Sequence, residues 1–169
     1  KEVCGAPCVG TVDDVMGGIV VDRATGSDEP MNDAIDALNG GEMVSIMPEG
    51  TIPRGPALFE TKLKGRWGAA QLAHDTGATV IPIGLWGTEK VWPRSSRMPK
   101  VLNLTDPPTV RIRVGEPVDL KGKSVDADTK RIMKATMAEL PDEAREPKMP
   151  TADELAPTYP PGYLSYPTD

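Results

Sequence analysis

Met43-Val44-Ser45-Ile46-Met47-Pro48-Glu49-Gly50-Thr51 decides the reading of this chain. Four apolar residues in five predict a short strand over 43–47. Pro48 and Gly50 end it and open a turn. The turn delivers a carboxylate, a permissive backbone position and a hydroxyl to the end of the strand. In open α/β sheets that rim is where ligands bind. By itself Pro-Glu-Gly-Thr is also what an ordinary turn looks like, so the segments on either side carry the argument.

Upstream, Ile19-Val20-Val21 predicts a short buried strand ending in Asp22-Arg23. Pro30 suits the first turn of a helix, where its missing N–H is not needed. Met31, Ala34, Ile35 and Leu38 recur at helical spacing on one face, and Gly40-Gly41 stops that helix. Strand, helix and strand in this order are the usual source of a parallel pair. Downstream, 50–65 holds Pro53, Gly55, Pro56 and Gly65 and reads as loop. Ala69, Leu72, Ala73 and Thr76 share a face of a second helix, which Gly77 caps, and a strand over 79–83 follows. Thr109 to Val114 alternates, with Val110, Ile112 and Val114 on one face and Arg111 and Arg113 on the other, so one side of that strand is solvated or anion-facing. Ser124 caps a third helix, with Asp126 and Asp128 in its positive first turn. Val125, Ile132, Met133, Met137 and Leu140 form its buried stripe, beside Thr129 and Thr136. The methionines there read as core packing. From Pro141 onward lie seven of the eighteen prolines and all three tyrosines, which predicts an extended tail.

The length suits one domain. The net charge of −6 is unevenly spread. Residues 1–50 hold 2 basic and 10 acidic side chains, whereas 51–100 hold 8 basic and 3 acidic. The basic block, Arg54, Lys62, Lys64, Arg66, Lys90, Arg94, Arg97 and Lys100, follows directly on the Pro-Glu-Gly-Thr turn. Such a block is often only a solvated face; beside a candidate phosphate loop it points to anion binding. Nucleic acid is a poor partner for an acidic chain with no aromatic stacking pattern. Cys4 and Cys8 suit no standard zinc site and read as idle thiols. No stretch approaches the roughly 20 apolar residues of a membrane-spanning helix.

Four segments stand in a set order: Gly17-Gly18-Ile19-Val20-Val21-Asp22-Arg23, Met47-Pro48-Glu49-Gly50-Thr51, Gly68-Ala69-Ala70-Gln71-Leu72-Ala73, and Thr79-Val80-Ile81-Pro82-Ile83. In order and spacing the set resembles the glycerolphosphate acyltransferase superfamily, the lysophosphatidic acid acyltransferases in particular. Lys1-Glu2-Val3 and Gly5-Ala6-Pro7 look like that family's segment between its first two blocks, and the resemblance covers roughly residues 1–120. The family's base is a His in a His-x4-Asp motif. Here the one histidine, His74, has Thr79 five residues on, and neither it nor Asp22 substitutes for the dyad. The resemblance therefore places the dyad upstream of Lys1 and implies that the chain alone is inactive.

The resemblance implies a substrate-binding set. Arg23 matches the Arg associated with the glycerol-phosphate head, Glu49, Gly50 and Thr51 match the Pro-Glu-Gly-Thr block, and Arg66 sits where relatives have a basic residue. Pro82 shapes the wall of the acyl or thioester site. Met47 replaces the family's aromatic, a tolerable apolar exchange. Ile52 replaces its Arg after Gly-Thr, and Arg54, two residues on beyond a stiffening Pro53, is the candidate to reach the same place.

The expected architecture is α/β, with helices packed on a mixed, largely parallel sheet and an extended Pro-rich C-terminal tail. Residues 1–140 would form the acyltransferase-like domain, without its N-terminal catalytic segment, and 141–169 an acidic Pro/Tyr-rich tail. The expected activity, in phospholipid biosynthesis, moves a fatty acyl group from an acyl-CoA or acyl carrier protein thioester to a hydroxyl of a lysophospholipid or glycerol-phosphate lipid. No metal and no cofactor are implied beyond the thioester co-substrate, and no nucleic-acid partner. The expected location is cytoplasmic, peripheral at the inner face of the membrane. Two alternatives stay open. One is a non-catalytic relative that binds anionic lipid heads or CoA. The other is a nucleotide- or sugar-phosphate-binding α/β domain, against which stands the lack of a Gly-x4-Gly-Lys-Ser/Thr or Gly-x-Gly-x-x-Gly motif.

Overall fold

A computed structural model describes residues 17–19, 28–62, 64–99 and 105–160. The chain divides into two compact units, Lys1–Ile46 with Gln71–Ala78, and Met47–Ala70 with Thr79–Asp169. The first unit contains α1 (Glu29–Asn39). Its start matches the sequence expectation: Pro30 sits in the first turn, and the Met31 and Asn32 N–H groups donate to the Asp28 carbonyl. Ala34 is buried and Met31, Ile35 and Leu38 are partly so, which is the predicted face. Gly40 donates to Asp36 O at 2.8 Å and Gly41 to Leu38 O at 3.1 Å, closing the helix where the glycine pair was expected to stop it.

Helix α2 (Gly68–Thr76) gives its first turn to the second unit and the rest to the first. Within the first unit, Gln71 Nε2 donates to Asp75 Oδ1 at 2.7 Å and the Thr76 hydroxyl to Leu72 O at 2.7 Å. Gly77 ends the helix as predicted, its N–H donating to Ala73 O.

Among the described residues, the second unit carries the sheet and the buried cluster of Ala69, Ala70 and Ile132. Strand β1 (Ile83–Trp86) is followed by the single-turn helix α3 (Thr88–Val91) and by strand β2 (Arg111–Val114). The strands pair antiparallel, with Ile83 opposite Val114, Gly84 opposite Arg113, Leu85 opposite Ile112 and Trp86 opposite Arg111. Helix α4 (Val125–Ala138) starts at Ser124, whose Oγ accepts from the Ala127 N–H. Its end lies over β1: a Cβ added at Gly84 would fall 2.5 Å from the Glu139 carbonyl oxygen. Ala69, Ala70 and Ile132 form the buried cluster, with Val80, Val118, Leu120 and Val125 packed against it. Ile132, Met133, Thr129 and Leu140 are buried, as the predicted stripe requires.

The fold is α/β, with four departures from the expectation. The run 43–47 is not paired into a strand. Its amides find no ladder partner among the described residues, and Met43 and Met47 are 95% and 68% exposed. The strand expected over 79–83 begins at Ile83. Before that point the chain still follows β2's continuation, through the Gly115 N–H to Pro82 O and the Val118 N–H to Val80 O, but Pro82 has no N–H to return. The sheet among the described residues is antiparallel, not largely parallel. The remaining strand expectation, 19–21, falls partly outside the described residues.

The fourth departure is the tail. Over its described part, 141–160, it makes a 3-10 turn (Asp142–Ala144), helix α5 (Ala152–Leu155) and a second 3-10 turn (Ala156–Thr158) instead of an extended run; 161–169 lie outside the described residues. A reciprocal cap starts α5: Thr151 Oγ1 accepts from the Glu154 N–H, and the Glu154 carboxylate accepts from the Thr151 N–H. Tyr159, at the end of this segment, is buried at 7% exposure. No helix among the described residues is long and apolar enough to cross a membrane.

Candidate functional site

The Met47–Thr51 stretch forms a tight turn. The Gly50 N–H donates to the Met47 carbonyl at 3.1 Å, with Gly50 at φ +64°. That conformation is costly for residues with a Cβ. A second reason excludes a side chain there. A Cβ at Gly50 would lie 2.9 Å from Arg66 Cγ and 3.7 Å from its Nε. The Arg66 stem therefore lies across the bare face of Gly50. Its backbone is tied to the same turn, the Arg66 N–H donating to Pro48 O at 2.7 Å. Two segments that the sequence separates by a Pro- and Gly-rich loop are thus one local structure.

Glu49 stands at the corner of this turn, partly buried, and burial pushes its carboxyl above the ordinary glutamate value. Thr51 is exposed, with its hydroxyl one residue past Gly50. Ile52 is 56% exposed, so the apolar residue that stands in place of a cation faces water. Arg54 is exposed and its backbone is extended, φ −131° and ψ 151°, directly before a 3-10 turn (Gly55–Phe59). Arg23 lies outside the described residues. His74 is in the last turn of α2.

The structure thus joins Glu49, Gly50 and Arg66, and sets Thr51 and Arg54 on the loop that leaves the turn. Chemically, an exposed guanidinium whose stem crosses a glycine turn is a fork of donors for a phosphate or carboxylate, and the Thr51 hydroxyl can add a donor. Glu49 cannot face an anion as a carboxylate. It can accept from a hydroxyl, or donate once protonated.

From sequence, Arg66 is only a basic residue where relatives have one; in the structure its stem and its N–H both meet the turn. The available signal was the glycine: a Gly at a turn admits close approach by another group, and the first arginine before a helix was the candidate to make it. Two further features were not found. Asp128 is fully buried and accepts from the Lys121 N–H (3.1 Å), the Gly122 N–H (2.8 Å) and Arg131 Nη1 (2.6 Å). The Gly55 N–H donates to Thr158 Oγ1 at 2.9 Å across 103 positions of sequence.

A family model described as Acyltransferase matches residues 1–86, which is just over half of the 169 residues and includes the Met47–Thr51 turn, Arg54, Arg66 and Pro82. The chain belongs to the acyltransferase family, and acyl transfer is the activity that membership gives in general terms. Searches of the curated proteins and of the solved structures found no match to the chain.

Proposed function

We propose that this chain supplies the acceptor-binding side of a fatty acyltransferase. The donor is an acyl-CoA or acyl carrier protein thioester, and the acceptor a hydroxyl of a lysophospholipid or glycerol-phosphate lipid, as in 1-acylglycerol-3-phosphate O-acylation. The observation that carries this reading is Arg66 laid across Gly50 in the Pro-Glu-Gly-Thr turn. In the reaction the acceptor oxygen attacks the thioester carbonyl, a base takes the hydroxyl proton, and the thiolate leaves. The family's base is a His of His-x4-Asp, which does not occur in residues 1–169. The residues assigned here bind and orient. Arg66, Arg54 and Arg23 hold the acceptor's phosphate, Thr51 adds a hydrogen bond, and Glu49 accepts from a glycerol hydroxyl or fixes a neighbouring cation. A lipid acceptor implies peripheral contact with a membrane, at the cytoplasmic face.

Calorimetric titration of the chain with sn-glycerol 3-phosphate tests it. Arg66→Ala is expected to weaken binding roughly 10–100-fold, the loss of a charge-assisted contact of about 1.5–3 kcal/mol. Arg54→Ala and Arg23→Ala should cost about as much as each other. Lys62→Ala should act weakly and lose its effect in salt. No binding by the native chain, or native affinity in folded Arg66→Ala protein, would overturn the reading.

A second reading is a non-catalytic relative that binds anionic lipid heads or CoA, which the exposed Arg66 beside the Gly50 turn would serve equally. Thiol release from an acyl-CoA in the presence of lysophosphatidate measures the chain's own turnover. The expected result is none. If turnover is absent and CoA competes with glycerol 3-phosphate for the Arg66 site, the second reading gains.

A further inference from the structure

The loop from Gly50 to Gly55 is held at both ends, and the far anchor comes from the C-terminal segment, beyond the residues that match the family. At the near end Arg66 covers Gly50 and donates to Pro48 O. At the far end the Gly55 N–H donates to Thr158 Oγ1. The Thr158 hydroxyl in turn donates to Leu155 O at 2.6 Å, so its donor and acceptor roles are both used and its orientation is fixed. Thr158 and Tyr159 are buried, at 6% and 7% exposure. Gly55 takes φ +55°, and a Cβ added there would overlap the Tyr159 phenol oxygen. The anchor is itself supported, by the reciprocal Thr151 and Glu154 cap and by the Lys148 to Glu154 ion pair.

Arg54 is the residue immediately before Gly55. The hydrogen bond to Thr158 fixes the peptide unit between them, and Pro53 restricts the backbone just before. An arginine on a loop free to wander loses binding free energy when a ligand orders it; one on a loop pinned on both sides loses less.

We propose that Thr158 and Tyr159 are positioning residues for the anion-binding loop: the C-terminal segment 151–159 clamps the Gly55 turn and so sets the reach of Arg54 toward the acceptor's phosphate. This rests on the acceptor-binding reading given above. A staple that served stability alone would lower the melting temperature and leave the affinity of the folded protein unchanged. A positioning residue acts through Arg54, so its effect should vanish when Arg54 is gone.

A double-variant cycle on the full chain tests this, with sn-glycerol 3-phosphate as the calorimetric probe. Thr158→Val keeps the shape and removes the hydroxyl. It should weaken binding roughly three- to tenfold, the worth of about one hydrogen bond. Thr158→Ser should bind like the native chain. In an Arg54→Ala background Thr158→Val should cause no further loss. If Thr158→Val does not fold, Tyr159→Phe takes its place in the same cycle, with a smaller loss that also disappears in Arg54→Ala. If Arg54→Ala weakens binding while Thr158→Val and Tyr159→Phe do not, or if the losses multiply in the double variants, this inference falls and the acceptor reading stands. If the native chain does not bind the probe, both fall together.

Discussion

Two constellations of charge in this chain look alike in sequence and differ in structure. Asp128 with Arg131 and the Lys121–Gly122 backbone is one. Glu49 with the Gly50 turn and Arg66 is the other. Asp128 has no exposed surface, and its two carboxylate oxygens accept from two backbone N–H groups and a guanidinium. With no exposed surface, it is closed to a ligand from solvent. Arg66 is exposed, and what it contacts at Gly50 is its aliphatic stem, which leaves the guanidinium for solvent or ligand. A buried and satisfied charge fixes a loop onto a helix. An exposed charge whose stem lies over a bare glycine stays open to solvent, where the proposed acceptor phosphate would meet it.

The comparison breaks most visibly at Asp128. Asp128→Ala removes the acceptor of two backbone donors and of the part-exposed Arg131 guanidinium, and should cost about 2–4 kcal/mol of stability in urea unfolding. Asp128→Asn keeps an acceptor and should cost less. If Asp128→Ala unfolds at the native urea midpoint, the polar box at the start of α4 is not a structural anchor.

Gly50→Ala should be next. The residue sits at φ +64°, and its new Cβ would meet Arg66 Cγ at 2.9 Å. A loss of roughly 1–2 kcal/mol is expected from the backbone alone, with phosphate affinity falling as Arg66 is pushed aside. Native stability and native glycerol 3-phosphate affinity together would show that Arg66 does not lie across this turn.

Glu49 sharpens the contrast through pH. Burial raises its folded-state pKa above the ordinary value of 4.5. The charged form is therefore disfavoured in the folded protein, and the stability contributed by this group is full below 4.5 and lost as pH rises through the raised value. Glu49→Gln should melt above the native chain at neutral pH, and the gap should close in acid. A gap that widens in acid would mean that an unseen cation holds the carboxylate.

The smallest effect belongs to Glu154, whose side chain is 37% exposed. Lys148 first, and then the Thr151 N–H, hold its carboxyl below the ordinary range. Its contribution is present above the unfolded value and is lost as pH falls through the depressed one. Glu154→Gln should lower the melting temperature slightly at neutral pH and not at all in strong acid.

What the sequence made legible was local. The Met31, Ala34, Ile35 and Leu38 face, Pro30 at the start of α1, Ser124 at the start of α4 and Gly77 at the end of α2 all depend on residues within a turn or two of one another, where propensity and capping act. The run 43–47 has the composition of a strand, but a strand exists only through a partner, and composition does not name one. The same limit hid the clamp on the loop. Thr158 and Gly55 are ordinary residues whose meaning comes from meeting across 103 positions. Asp128 was read as a first-turn acid favoured by the helix dipole, and its burial depends on the loop 119–123 folding back onto α4. At the site, the ordered motifs marked the Pro-Glu-Gly-Thr turn. Their spacing could not show that Arg66 would lie on Gly50.

The central claim is that Arg66 over Gly50 makes a phosphate-binding surface, not a structural pair. The direct measurement is the glycerol 3-phosphate dissociation constant and the melting temperature of the native chain and of Arg66→Ala, taken on the same samples. The account predicts a 10–100-fold weaker dissociation constant, by order of magnitude, with a melting temperature close to native. A lowered melting temperature with unchanged affinity would put Arg66 in the same class as Asp128 and contradict the account.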